Sequence, residues 1–252
     1  MFDMETALKA LRLGGMAKVL PVRYQEAKAN DLDYLEFLER LVQDELDKRK
    51  DNLLHRRIKA AKFPALKTLD QFDFSFNSSI KKRQFLELAS GRFIYQCQGL
   101  LLLGPPGVGK SHLALALGLA AIHRGYTVYY RNAFDLVQDM IDAMRVEERK
   151  KLVAKLTRFN LLIIDEFGMK QMPPHAADDL LEIVHRRYQN GSSVIATNRP
   201  LADWGALLGD NAATSAILDR FLDDAIIVPI KGKSYRLHKP QDEKKNEKIE
   251  KE

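Results

Sequence analysis

Apolar residues follow two different patterns along this chain. Beyond about residue 70 they gather into short unbroken runs at 99–104 (GLLLLG), 127–132 (TVYYRN), 161–166 (LLIIDE), 193–198 (SVIATN) and 225–230 (AIIVPI). Segments with helical apolar spacing separate them. A strand with one wet face alternates apolar and polar residues, whereas an unbroken run is covered on both faces. Such runs joined by helices predict a doubly wound α/β fold, a parallel five-stranded sheet built from right-handed crossovers.

The first sixty residues read differently. Tyr34, Leu38, Leu41, Val42, Glu45 and Leu46 keep an i, i+3, i+4 rhythm, and Asp31 or Asp33 is placed to cap its start. Leu46, Leu53, Leu54, Ile58 and Ala61 continue on one side while Arg49, Arg56, Lys59 and Lys62 lie elsewhere, until Pro64 ends the helix. The stretch 63–77 (FPALKTLDQFDFSFN) loses the spacing and reads as a linker. The expected organisation is a small all-helical module at 1–66 for partner or DNA interaction, an α/β domain at 67–238, and a tail at 239–252. The tail has five lysines against five acids and reads as solvated and disordered.

Charge sharpens this division. The formal net charge is +6, yet residues 1–47 carry −4 and residues 48–67 carry +7. A local basic patch suits a polyanion or an acidic partner; a solvated helix face is the alternative. Asp3, Glu5, Lys9, Arg12 and Lys18 break any leader-like pattern at the start, and the longest apolar stretch is far shorter than the ~20 residues of a spanning helix. With Cys97 as the single cysteine, read as small buried filler, a cytoplasmic protein without membrane association is expected.

The first apolar run leads into Gly104-Pro105-Pro106-Gly107-Val108-Gly109-Lys110-Ser111, which fits G-x-x-x-x-G-K-[ST] between a predicted strand and a predicted helix. Glycines let the backbone curl until its N–H groups point at phosphate oxygens, and the helix N-terminus adds partial positive charge. Lys110 would reach the β- and γ-phosphates of ATP and the Ser111 hydroxyl would ligate Mg²⁺. Hydrolysis needs more than a phosphate cradle. The third run ends in Asp165, suited to hold Mg²⁺, and Glu166, suited to be the base that activates water. The pair could also cap the next helix. Asn198, at the end of the fourth run, is placed to hydrogen-bond that water or the γ-phosphate, or to be a turn residue before Arg199-Pro200. Phe72, Phe74 and Phe76 could line the adenine or pack the linker onto the sheet, and Trp204 reads as packing.

Together these features resemble the AAA+ ATPases, and the block NAATSAILDRFLDDAIIVPI (211–230) extends the likeness. The resemblance implies that Arg220 is an arginine finger acting across a subunit interface; on the residues alone it could pair with Asp219 or Asp223. The sequence departs from many AAA+ proteins in leaving no room after the fifth run for the C-terminal helical lid, which implies loose nucleotide binding until assembly closes the site. AAA+ chains of this kind resemble DnaC-type helicase loaders and IstB-like transposition helpers. The likeness to the IstB-like group spans almost the whole chain, including LRLGGMAKVL, DYLEFLERLVQDELDKRK, RRIKAAKFPALKTLDQFDF, RRYQNGSSVIATNRPLADW and GKSYRL.

That resemblance implies an ATPase that forms a homo-oligomer with ATP on double-stranded DNA, without sequence preference, and recruits and stimulates a transposase of a bacterial insertion sequence. A replicative helicase loader is the alternative. Candidate phosphate contacts are Lys48, Arg49, Lys50, Arg56, Arg57, Lys59 and Lys62 in the basic patch. The segment between the second and third runs, which in initiator-type relatives faces nucleic acid, adds Lys150, Lys151, Lys155 and Arg158.

Overall fold

A computed structural model describes residues 3–145, 147–169, 176–209 and 211–237; the charged tail at 239–252 lies outside them. The chain divides into two compact units, Met1–Arg57 and Ile58–Glu252.

The first unit contains α1 (Met4–Ala10), α2 (Gly14–Asn30) and most of α3 (Tyr34–Ala61). Asp3 caps α1 by accepting from the backbone of Glu5 and Thr6, and Asp33 caps α3 by accepting from the Glu36 N–H at 2.8 Å. Its small core is Leu8, Met16, Ala17 and Leu41, with Leu13, Val19, Leu20 and Phe37 against it. The rhythm expected along α3 therefore splits. Leu41 and Glu45 are buried, while Leu38, Val42, Leu46 and Leu53 face solvent, because α1 and α2 supply a partner for one side only. Glu45 is buried because it accepts from the Gly15 and Met16 N–H groups at 2.6 and 3.1 Å, satisfying donors at the start of α2, and it also pairs with Arg49.

The second unit is the expected parallel sheet. Its strands are β1 (Leu100–Leu103), β2 (Val128–Asn132), β3 (Leu161–Phe167), β4 (Ser192–Thr197) and β5 (Ile226–Pro229), in spatial order β2-β3-β4-β1-β5. Every pairing is parallel. The helices are α4 (Lys82–Leu88), α5 (Arg92–Tyr95), α6 (Lys110–His123), α7 (Ala133–Arg145), α8 (Arg149–Arg158), α9 (Ala176–Arg187), α10 (Trp204–Leu208) and α11 (Asn211–Leu222). After β5 the described residues form one short 3₁₀ turn, Tyr235–Leu237.

The main core lies against β1, β3 and β4, where Leu101, Leu162, Ile164 and Ile195 meet Leu136, Met140, Leu156, Ile183 and Ile217. Trp204 is fully buried, its ring 4.2 Å from that of Phe167. Cys97 is only partly buried and has a φ of +57°, so it is a turn residue instead of buried filler. Among the described residues no helix is long and apolar enough to cross a membrane. This topology brings β1, which precedes the phosphate loop, beside β4 and one strand from β3, so their C-terminal ends form a single edge.

Candidate nucleotide site

The loop from Gly104 to Ser111 runs out of β1 into α6, as its glycines require. Gly107 and Gly109 have φ of +81° and +97°, left-handed values that a side chain would strain. Space enforces the same choice. A Cβ on Gly109 would lie 2.5 Å from the Phe72 ring, and one on Gly107 would lie 2.1 Å from the Ser234 hydroxyl.

Lys110 donates to the carbonyls of Gly104 and Pro105, each at 2.8 Å. Burial pushes its pKa down, Asp165 opposes that shift, and the nearby Arg236 charge adds to it. A half-buried ammonium bonded to backbone carbonyls, with no carboxylate in contact among the described residues, is a site short of negative charge, which phosphate would supply.

Asp165 is almost fully buried at the end of β3. It accepts from Ser111 Oγ at 3.1 Å, from Tyr130 Oη at 3.0 Å and from the Glu166 N–H at 2.8 Å. Burial, reinforced by the Asp165 charge and hydrogen bond, drives the Tyr130 phenol pKa upward, so the hydroxyl stays a donor. Ser111 and Asp165 thus present a hydroxyl and a carboxylate oxygen to one point, a donor pair that fits a hard divalent cation.

Glu166 follows with a φ of +55°, and its side chain leaves the buried sheet for solvent at the same edge. Its carboxylate accepts from Asn132 Nδ2 at the end of β2. The Asn132 carbonyl oxygen in turn accepts from the Phe134 N–H at 2.9 Å, which fixes the amide so that its NH₂ faces Glu166. Asn198 lies just past Thr197, the β4 residue that pairs with Phe167 of β3. The Asn198 Oδ1 is buried with no hydrogen-bond partner among the described residues, leaving capacity for a ligand or water.

A cavity of about 320 Å³ continues from the loop, lined by Phe72, Phe76, Asn77, Leu115, Tyr235 and Arg236 among others. The linker is held there because His112 Nε2 donates to the Thr68 carbonyl at 2.9 Å while the His112 and Phe72 rings meet edge to face at 5.2 Å. The three phenylalanines therefore divide. Phe74 packs on buried Phe85, and Phe72 and Phe76 face the cavity. Such apolar walls next to a phosphate cradle fit a nucleobase. The Tyr235 N–H donates to the Gly107 carbonyl at 2.9 Å, which brings the post-β5 segment and Arg236 back over the loop.

Arg220 is not part of this constellation. It lies near the C-terminus of α11, donating to His185 Nδ1 at 3.1 Å and to the Ala216 carbonyl at 3.2 Å. It lines a separate cavity with Cys97, Gly99, Ser193 and Asp223, beside the N-terminal ends of β1 and β4. Its own phosphate loop is at the opposite edge of the sheet.

Of the basic candidates, Lys48, Arg49, Lys50, Arg56, Lys59, Lys62, Lys150, Lys151, Lys155 and Arg158 are exposed and Arg57 is half-buried. Arg49 is paired with Glu45, Lys50 with Asp47 and Lys151 with Glu148. Lys62 and Lys155 come together, with ammonium groups 5.9 and 5.0 Å from the centre of the Tyr129 ring.

Sequence reasoning passed over Tyr130, Asn132 and Arg236. The first two are the polar end of an apolar run, and only the pairing of β2 with β3, which sets Asn132 opposite Asp165, gives them meaning.

Comparison with known proteins agrees with this geometry. The family model described as IstB-like ATP binding protein matches residues 6–243. The ATP-binding protein of insertion sequence IS5376 from Geobacillus stearothermophilus is 37% identical over 242 residues, covering 94% of this chain and 95% of the relative. That of IS21 from Pseudomonas aeruginosa is 35% identical over 237 residues, covering 94% and 89%. Among solved structures, the DnaC helicase loader aligns with a TM-score of 0.54 at 25% identity, covering 70% of this chain and 99% of the other. AMPPCP-bound DnaA from Aquifex aeolicus aligns at 0.56 and 21% identity, covering 69% and 53%, and shares the fold.

Proposed function

We propose a function for a chain that belongs to the IstB-like family of ATP-binding proteins: it is an ATPase that assembles on target DNA and recruits and stimulates the transposase of an insertion sequence. The observation that carries the enzymatic part is the convergence of Lys110, Ser111, Asp165 and Glu166, from two strand ends, on one edge of the sheet. The names of the relatives, which describe ATP-binding proteins of insertion sequences, support the biological part.

The loop amides and Lys110 grip the β- and γ-phosphates. Ser111 and Asp165 are the residues that would hold Mg²⁺, which when bound would neutralise charge developing on the phosphates. Glu166 orients a water and takes its proton, and Asn198 hydrogen-bonds that water or the γ-phosphate. Arg220 cannot reach the phosphates of its own subunit and serves the site of a neighbour, so turnover depends on assembly. Such a finger is worth about 10³ to 10⁵ in rate. The exposed Lys and Arg side chains of the basic patch and of α8 contact phosphates of duplex DNA in a salt-dependent manner.

Glu166→Gln is the test. It should bind ATP normally, lose turnover by roughly 10² to 10⁴, and accumulate as ATP-bound oligomers on DNA. Unchanged turnover and assembly would remove Glu166 from its role. A helicase loader would share the ATPase unit, and the DnaC likeness favours it. Pull-down with a cognate transposase, against a replicative helicase, separates the two readings.

A further inference from the structure

The sheet itself carries the segment after β5 to the nucleotide cavity. β5 pairs with β1 in parallel, Pro229 opposite Leu103, so the chain leaves both strands side by side at the C-terminal edge. From β1 it becomes the phosphate loop, and from β5 it becomes residues 231–237. The two stay in contact. The Ile230 N–H donates to the Leu103 carbonyl at 2.6 Å, and a Cβ on Gly104 would lie 2.2 Å from the Ile230 carbonyl oxygen. Further on, the Tyr235 N–H holds the Gly107 carbonyl, and Ser234 fills the space that a side chain at position 107 would need. The segment is also tied to the linker, because the Lys231 N–H donates to Ser79 Oγ at 3.0 Å and the Tyr235 ring meets Phe76 edge to face at 4.9 Å. These ties are few. Lys231, Gly232, Lys233, Tyr235, Arg236 and Leu237 are exposed and Ser234 is half-buried, so little apolar burial fixes the segment. Gly232, with a φ of +133°, supplies a joint at its root.

Charge shows what the segment can close on. Lys67, Lys110 and Arg236 line the same cavity, and Arg236 makes no ion pair among the described residues. Burial and, after it, the Arg236 charge push the Lys110 pKa down, so the two cations work against each other. Asp73, the acid in the cavity wall, already accepts from the N–H groups of Ser75 and Phe76 and from the Ser75 hydroxyl. Cations that share a cavity in this way are stabilised by a bound anion. Tyr235 rests on Phe76 at the apolar end of the cavity, while Arg236, next in the chain, acts on Lys110 at the loop end. Arg236 therefore falls at the join, between the place for a base and the place for the terminal phosphates.

We propose that Arg236 is a nucleotide ligand within its own subunit, binding the α- and β-phosphates of ATP or ADP, and that residues 231–237 form a strap that closes over them. The assignment rests on reading the cavity as a site for ATP. It differs from the expectation that a chain without a helical lid holds nucleotide loosely until assembly closes the site. Closure by the strap is intramolecular, whereas the role proposed for Arg220 lies between subunits.

The test is calorimetric titration of the dilute full-length chain, without DNA, with ADP and with a non-hydrolysable ATP analogue. Arg236→Gln, at an exposed position, should leave far-ultraviolet circular dichroism unchanged and weaken both nucleotides alike, by about tenfold. Arg236→Glu should weaken them further. Trypsin gives a second reading, since Lys231 and Lys233 lie in the strap. Saturating ADP should slow cleavage after both lysines in the wild type and leave it unchanged in Arg236→Gln. Equal affinities in the wild type and Arg236→Gln, or wild-type cleavage that ADP does not slow, would overturn the proposal while ATP binding itself stands. A loss confined to the ATP analogue would overturn the placement on the α- and β-phosphates. A wild type that binds neither nucleotide would overturn the reading of the cavity as well.

Discussion

At the residue scale, the site depends on how Asp165 is held. Its carboxylate takes two hydroxyl donors and one backbone N–H, and a cation arriving beside Ser111 would displace one hydroxyl bond while Tyr130 keeps the carboxylate oriented. Tyr130→Phe removes that support without opening space. It should raise the magnesium concentration needed for half-maximal ATP binding about 5- to 10-fold, the equivalent of one lost hydrogen bond of ~1–1.5 kcal/mol, as read by fluorescent-nucleotide titration. Gly109→Ala attacks the cradle itself, since its methyl would meet the Phe72 ring and strain a φ of +97°. ATP binding should fall at least about tenfold in the same titration, because strain and displacement of the ring each cost on the order of 1 kcal/mol or more. The cradle, Asp165 and Glu166 were legible in the sequence because their spacing is local and their flanks are unmistakable. Tyr130 and Asn132 were not, since they join the site through strand adjacency, a long-range fact that no window of sequence contains.

At the scale of elements, two buried charged side chains fasten helices in ways that apolar periodicity does not reveal. Glu45 ties α3 to the start of α2 through two N–H groups and to Arg49. These bonds hold its pKa below the ordinary glutamate value of 4.5; the Arg49 bond is the largest cause and burial opposes it. A lowered folded-state pKa gives stability that is fully present above the unfolded value and is lost as pH falls through the folded one. The helical unit should therefore loosen on acidification below about pH 4.5. Glu45→Gln should cost about 1–3 kcal/mol at neutral pH and show a shallower acid dependence in chemical melts. Arg187 does the same for the larger unit. Fully buried and without a carboxylate partner among the described residues, it donates to the carbonyls of Leu156, Phe159, Asn160 and Ser192 and to Ser193 Oγ. Burial brings its pKa down to about 10. Arg187→Met would strand those carbonyls where α8, β3 and β4 meet, and should destabilise by at least about 3 kcal/mol in thermal unfolding. The five strands were readable as unbroken apolar runs. The single buried side of α3 was not, because burial of Leu41 instead of Val42 is decided by where α1 and α2 lie.

At the scale of the molecule, parallel strands have a direction, and the groups proposed to handle the nucleotide phosphates of their own subunit sit at the C-terminal edge. Arg220 sits beside the other. The Arg220 guanidinium rests on His185 and a helix carbonyl, next to the N-terminal ends of β1 and β4. Four residues of β1 at about 3.3 Å each, plus the loop beyond, separate it from the phosphates of its own subunit. A side chain cannot span that distance, so if Arg220 contributes to hydrolysis it does so in a neighbour. This has a consequence that single variants cannot expose. Arg220→Ala chains retain an intact cradle and Lys110→Ala chains retain an intact arginine, and each alone should be inactive. Mixed, they form junctions in which an intact cradle faces an intact arginine, so turnover should reappear as the two are titrated together, peaking near equal amounts at about a quarter of wild type if junctions form at random and act independently. An arginine that merely braces α11 against α9 would predict the opposite: no recovery at any ratio, and a lowered melting temperature in Arg220→Ala alone.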